Sequence, residues 1–146
     1  GMVVLKTHVQ ADWLLGLLLF LIWGTDVGAY FAGRKFGKTK LAPQVSPGKS
    51  WEGVWGGIAL GLVVACVVGW TLGLGSTEAW MGLMVTCLVT MAASVLGDLY
   101  ESVIKRQSGY KDSGNLLPGH GGIMDRIDSL TAAAPIFALC VMAGAF

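Results

Sequence analysis

The stretch WLLGLLLFLIWGTDVGAYFAG, Trp13 to Gly33, decides the class of fold. Its first part, Leu14 to Trp23, is apolar on every face, whereas a helix at the surface of a soluble domain keeps a polar stripe. At 1.5 Å rise per residue, about 20 such residues cross a hydrocarbon core roughly 30 Å thick. Three further windows qualify: Val54 to Gly75, Trp80 to Leu99 and Ile127 to Phe146, the last with polar residues at its start. Composition agrees, since 54% of the 146 residues are hydrophobic and 13% are charged, against about 25% charge in an average soluble domain. A net charge of +1 argues against a nucleic-acid binder, and the apolar content excludes a disordered chain. The expectation is one all-α integral membrane domain over residues 1–146, with about four transmembrane helices.

The connecting segments are unequal. Residues 34–53 contain Arg34, Lys35, Lys38, Lys40 and Lys49, and residues 100–126 contain Lys105, Arg106, Lys111 and Arg126. The short connection Ser76 to Ala79 has no basic residue. The positive-inside rule places both basic loops in the cytoplasm. Cys66, Cys87 and Cys140 stand singly in apolar runs, a pattern of small buried or lipid-facing groups without a zinc motif or a disulfide framework.

Several polar groups are out of place in lipid. Asp26 lies deep in the first window, where a carboxylate costs a few kcal/mol; it either bonds a neighbouring helix or forms the polar wall of a cavity. Asp98, Glu101, Ser102 and Lys105 follow at i, i+3, i+4 and i+7, one face of a helix. Glu101 and Lys105 alone would make an ordinary surface pair. The next segment adds Lys111-Asp112, Leu117-Pro118-Gly119-His120-Gly121-Gly122 and Asp125-Arg126-Ile127-Asp128. Gly121 and Gly122 let backbone N–H groups approach a phosphate, and His120 beside them suits a phosphate contact, a proton-transfer role or a structural one. Asp125 and Asp128 share a face and suit a hard cation. Lys105, Arg106, Lys111 and Arg126 supply the opposite charge, a mixture suited to Mg²⁺ carrying a polyphosphate at a membrane surface. In the first loop, Gly48-Lys49-Ser50 is not a P-loop, because Pro43 stands where that motif needs glycine. Helix capping by Ser46 before Pro47, or by Ser50 with Glu52 in the first turn, fits better.

The run from Ser102-Val103-Ile104-Lys105-Arg106 through Lys111-Asp112, Gly114, Leu117-Pro118 and His120-Gly121-Gly122-Ile123 to Asp125-Arg126-Ile127-Asp128 resembles the C-terminal signature of CDP-diacylglycerol synthases, the phosphatidate cytidylyltransferases. Asp26 with Gly28-Ala29-Tyr30, the segment Ser46 to Gly53, and Gly97-Asp98 also look like positions of that family. The likeness runs from about residue 13 onward and covers only the family's C-terminal portion, whose N-terminal helices are expected to be lacking here.

The resemblance implies conversion of CTP and phosphatidate to CDP-diacylglycerol and pyrophosphate, with Asp98, Asp125, Lys105 and Arg106 as catalytic residues. It implies Mg²⁺ at Asp98 and Asp125, with Asp128 assisting or holding a second cation. Lys49, Ser50, Ser102, Lys111, His120, Gly121, Gly122 and Arg126 would bind the substrates. It further implies a multi-pass protein of the bacterial inner membrane whose site faces the cytoplasm, with exposed helix faces that favour a homodimer. Two alternatives stay open: an inactive fragment of such an enzyme, and a cation-binding transporter with Asp26 and Asp98 along its path.

Overall fold

The computed structural model describes residues 11–43, 45–107 and 124–144. Helix α1 spans Ala11–Phe36, followed by strands β1 (Lys40–Ala42) and β2 (Ser46–Ser50). Helices α2 (Trp51–Thr71), α3 (Thr77–Gln107) and α4 (Met124–Met142) complete the elements among the described residues. Three helices, Trp13–Phe36, Trp51–Thr71 and Thr77–Gln107, are long and apolar enough to cross a membrane, and α4 has a shorter apolar stretch, Ser129–Met142. The chain is a multi-pass helical membrane protein.

Helix ends depart from the apolar windows for local reasons. The second window reaches Gly75, but α2 stops at Thr71 because Gly73 takes φ +66°, a left-handed conformation that ends helices and favours glycine. Helix α3 continues beyond Leu99 to Gln107, since charged residues keep helical geometry once they leave the hydrocarbon. Helix α4 begins earlier than the fourth window and ends at Met142.

Helix α2 buries only small residues, Gly53, Gly57, Gly61, Ala65 and Gly69, at four-residue spacing. Such a stripe lets backbones approach closely, the usual basis of helix association in lipid. The approach to α1 is tight: a Cβ on Gly57 would lie 2.6 Å from the Thr25 carbonyl oxygen, and one on Gly28 would lie 2.6 Å from that of Gly56. The remaining core is mostly apolar, with Leu18 and Leu21 of α1, Leu83 and Met91 of α3, and Phe137 of α4 essentially inaccessible, beside the equally buried Thr86 and Thr90 of α3.

The first basic loop is not irregular throughout. β1 and β2 pair antiparallel, Lys40 opposite Ser50 and Ala42 opposite Ser46. The Trp51 N–H donates to the Thr39 carbonyl at 3.0 Å, and the Thr39 N–H donates to both Glu52 carboxylate oxygens at 3.1 and 3.3 Å. Ser50 caps α2, its Oγ accepting from the Gly53 N–H at 3.2 Å. Of the two caps expected from sequence, Ser50 is therefore realised, while Ser46 is a strand residue.

Candidate active site

The hairpin delivers residues of the first loop to the polar end of α3. Lys49 Nζ forms an ion pair with Asp98 Oδ2, and both side chains are about three-quarters buried, with exposures of 26% and 29%. Two turns later on α3, Arg106 Nε donates to the Val45 carbonyl at 3.3 Å. Asp98 and Arg106 thus hold the two ends of β2. On the same helix, Lys105 pairs with Glu101 at 2.7 Å.

Two cavities flank β2 and share Gly48. The first, about 240 Å³, is lined by Asp26 and Tyr30 of α1, Lys49 and Ser50 of β2, Gly53 and Val54 of α2, and Asp98. The second, about 370 Å³, lies between Val45 to Gly48 and Ser102, Lys105 and Arg106. Tyr30, whose hydroxyl accepts from Arg34 Nη1 at 3.1 Å, is a lining residue for which the sequence indicated no site role. It stood out there only as a family-like position one helical turn after Asp26.

The structure therefore gathers Lys49, Ser50, Asp98, Ser102, Lys105 and Arg106 around one strand. It also adds a relation invisible in sequence: Lys49 and Asp98, expected in separate roles, are partners. Ser50 lines a cavity while its oxygen serves the α2 cap. Lys111, His120, Gly121 and Gly122 lie outside the described residues, and so do the side chains of Asp125, Arg126 and Asp128, whose backbone belongs to the start of α4. Among the described residues no three His, Cys, Asp or Glu side chains cluster as a metal centre.

A model of the cytidylyltransferase family matches residues 1–143. The chain belongs to that family. Among its relatives, a Pseudomonas aeruginosa protein named phosphatidate cytidylyltransferase is 53% identical over 143 residues, 98% of this chain and 52% of that one. Proteins of the same name from Haemophilus influenzae and Bacillus subtilis are 56% and 46% identical, covering 85% and 79% of this chain and 44% and 42% of theirs. The chain spans about half the length of these curated relatives. A solved structure described as an intramembrane enzyme for archaeal membrane lipids biosynthesis shares the fold, with a TM-score of 0.56, 17% identity and 87% of each chain covered. Family membership thus rests on sequence, and the likeness of architecture extends to a much more distant protein.

Proposed function

We propose that this chain forms a site for the reaction CTP + phosphatidate → CDP-diacylglycerol + pyrophosphate. The observation that carries the reading is the pair of cavities on either side of β2, one lined by Lys49 and Asp98 and the other by Lys105 and Arg106, in a member of the cytidylyltransferase family. An oxygen of the lipid phosphate bonds to the α-phosphorus of CTP. The bond from that phosphorus to the bridging oxygen breaks, and pyrophosphate leaves with the electron pair. A phosphate monoester is largely dianionic near neutral pH, so the attacking oxygen needs no general base.

Both reactants are anions, and the obstacles are charge crowding and alignment. Lys105 and Arg106 neutralise the triphosphate, joined by Lys111 and Arg126. Lys49 and Ser50 approach the reacting phosphates from the hairpin, Ser102 from α3, and His120, Gly121 and Gly122 from the segment beyond it. Asp26 and Asp98 present carboxylates to one cavity whose described lining contains no thiol or imidazole. Such hard donors fit Mg²⁺, which takes one or two carboxylates and leaves its other positions to water and phosphate. Asp98, Asp125 and Asp128 would hold it, and its charge would offset that of the phosphates.

CTP is soluble and phosphatidate is anchored, so the site belongs at a membrane surface, here the cytoplasmic face of a bacterial inner membrane. A homodimer would cover part of the apolar exterior that α1 and α2 present. The test is pyrophosphate release by the purified chain in detergent, omitting CTP, phosphatidate and Mg²⁺ in turn. Turnover that needs all three is expected. Its absence here, with turnover by the longer Pseudomonas aeruginosa relative, would make this chain an inactive part; absence in both would overturn the reading.

A further inference from the structure

A third concavity, about 450 Å³, lies on the other side of α3. Its α3 wall is Gly97, Tyr100, Glu101 and Ile104, spaced i, i+3, i+4 and i+7 and so on one helical face, while Thr131 and Ala132 of α4 close the other side. Its size is that of a small-molecule site, roughly 300–1,000 Å³, and the large side chains along it, Tyr100 and Ile104, remain 69% and 44% exposed. Lys105 lines both this groove and the basic cavity beside β2. It stands one turn from Glu101 of the groove and three residues from Ser102 of the cavity, at the seam between the two faces.

The groove's depth indicates what fits it. Counting from Trp80, where the apolar window begins, about 20 residues at 1.5 Å each cross a 30 Å core, which brings α3 to the membrane boundary near Leu99. From Gly97 to Ile104 the groove runs about 10 Å along the helix, across that boundary and through the layer that holds the ester groups and first methylenes of a lipid. Among the described residues, the charged groups on its wall are Glu101 and Lys105, which form an ion pair. An apolar trough at this level, ending at a lysine shared with a cation-lined cavity, matches a molecule with an anionic head and a hydrocarbon tail.

Resting on the function proposed above, we infer that this α3–α4 groove seats the head-proximal part of an acyl chain of the phosphatidate substrate, with Lys105 marking where the chain gives way to the phosphate. The probe is a phosphatidate carrying a diazirine near the carboxyl end of one acyl chain, photolysed with the whole chain in detergent without CTP. Labelling of peptides containing Tyr100 to Ile104 or Thr131 and Ala132, suppressed by excess unlabelled phosphatidate, is expected. Ala132→Trp, which fills the groove from α4, should reduce that labelling at least tenfold while the variant unfolds like the parent in an SDS titration. Labelling confined to the outer faces of α1 and α2, labelling that excess phosphatidate does not diminish, or undiminished labelling of a folded Ala132→Trp variant would overturn the inference. Because labelling needs no turnover, the two readings fail separately: groove labelling without pyrophosphate release in either protein would sink the reaction alone, and turnover with labelling elsewhere would sink the groove alone.

Discussion

Replacing Gly28 by alanine tests the closest backbone contact between α1 and α2. The new Cβ would lie 2.6 Å from the Gly56 carbonyl oxygen and 2.9 Å from Leu60 Cβ, whereas ordinary contact begins near 3.4 Å. The obstructing atom is backbone, so no rotamer change relieves the clash, and the helices must part by about 0.8 Å, the shortfall between 2.6 and 3.4 Å. Overpacking of this kind costs about 1–3 kcal/mol. Helix propensity acts oppositely, favouring alanine over glycine by about 1 kcal/mol. Gly16→Ala receives the same propensity gain, but its Cβ meets nothing within 4 Å, so the difference between the two variants isolates the clash. In an SDS titration of detergent-solubilised protein, Gly28→Ala should therefore unfold about 1–3 kcal/mol more readily than Gly16→Ala. The displacement also reaches the site, because Asp26 and Tyr30 flank Gly28 and line the cavity that β2 closes. A misplacement near 1 Å can cost on the order of 100-fold in rate, so in an active protein Gly28→Ala should lose turnover while Gly16→Ala keeps it. Equal stability of the two variants would refute the packing of α1 on α2 described above.

Three further outcomes follow from the site. Asp98→Asn keeps the shape of the side chain and removes its charge, and should reduce pyrophosphate release on the order of 100–1,000-fold, the scale of losing one electrostatic contact to the transition state; near-normal rates would remove Asp98 from the chemistry. Lys49→Met and Asp98→Asn should each lower stability by about 1–3 kcal/mol, between the values for exposed and buried ion pairs. Their double variant should lose clearly less than the sum, and effects that add within about 0.5 kcal/mol would show that the two residues do not interact. Chelation with EDTA should abolish pyrophosphate release and added Mg²⁺ should restore it, whereas unchanged activity after chelation would exclude the proposed metal.

The helices were legible because apolar length is a direct physical requirement for crossing lipid, and Leu14 to Trp23 meets it on every face. Asp26 was legible as an anomaly for the same reason, since an intramembrane carboxylate needs a polar surrounding. The hairpin was not: Pro47 and Gly48 are poor strand formers, and a two-stranded ribbon of this length leaves no alternating apolar pattern. Nor could periodicity join Lys49 to Asp98, because contacts between a loop and a distant helix depend on how α1 and α2 set the hairpin's height beside α3. The choice of Ser50 over Ser46 as the cap follows from the same geometry, since β2 extends Ser46 away from the helix start.

The turn between α2 and α3 bears on how the protein enters a membrane. Hairpin contacts tie the start of α2 and the end of α3 to the same side, so residues 72–76 emerge on the opposite side. That turn carries no charged side chain, and part of its backbone is served locally: the Leu72, Gly73 and Leu74 N–H groups donate to Val68, Trp70 and Gly69 carbonyls, and Trp80 Nε1 donates to the Leu74 carbonyl at 2.9 Å. Unsatisfied backbone groups are what hydrocarbon penalises most. A short, uncharged turn with some of these groups already paired suits passage of the two helices into the bilayer together as one loop. Biogenesis and the positioning of the site then share one element, because the insertion unit is also the frame that holds β2 against Asp98.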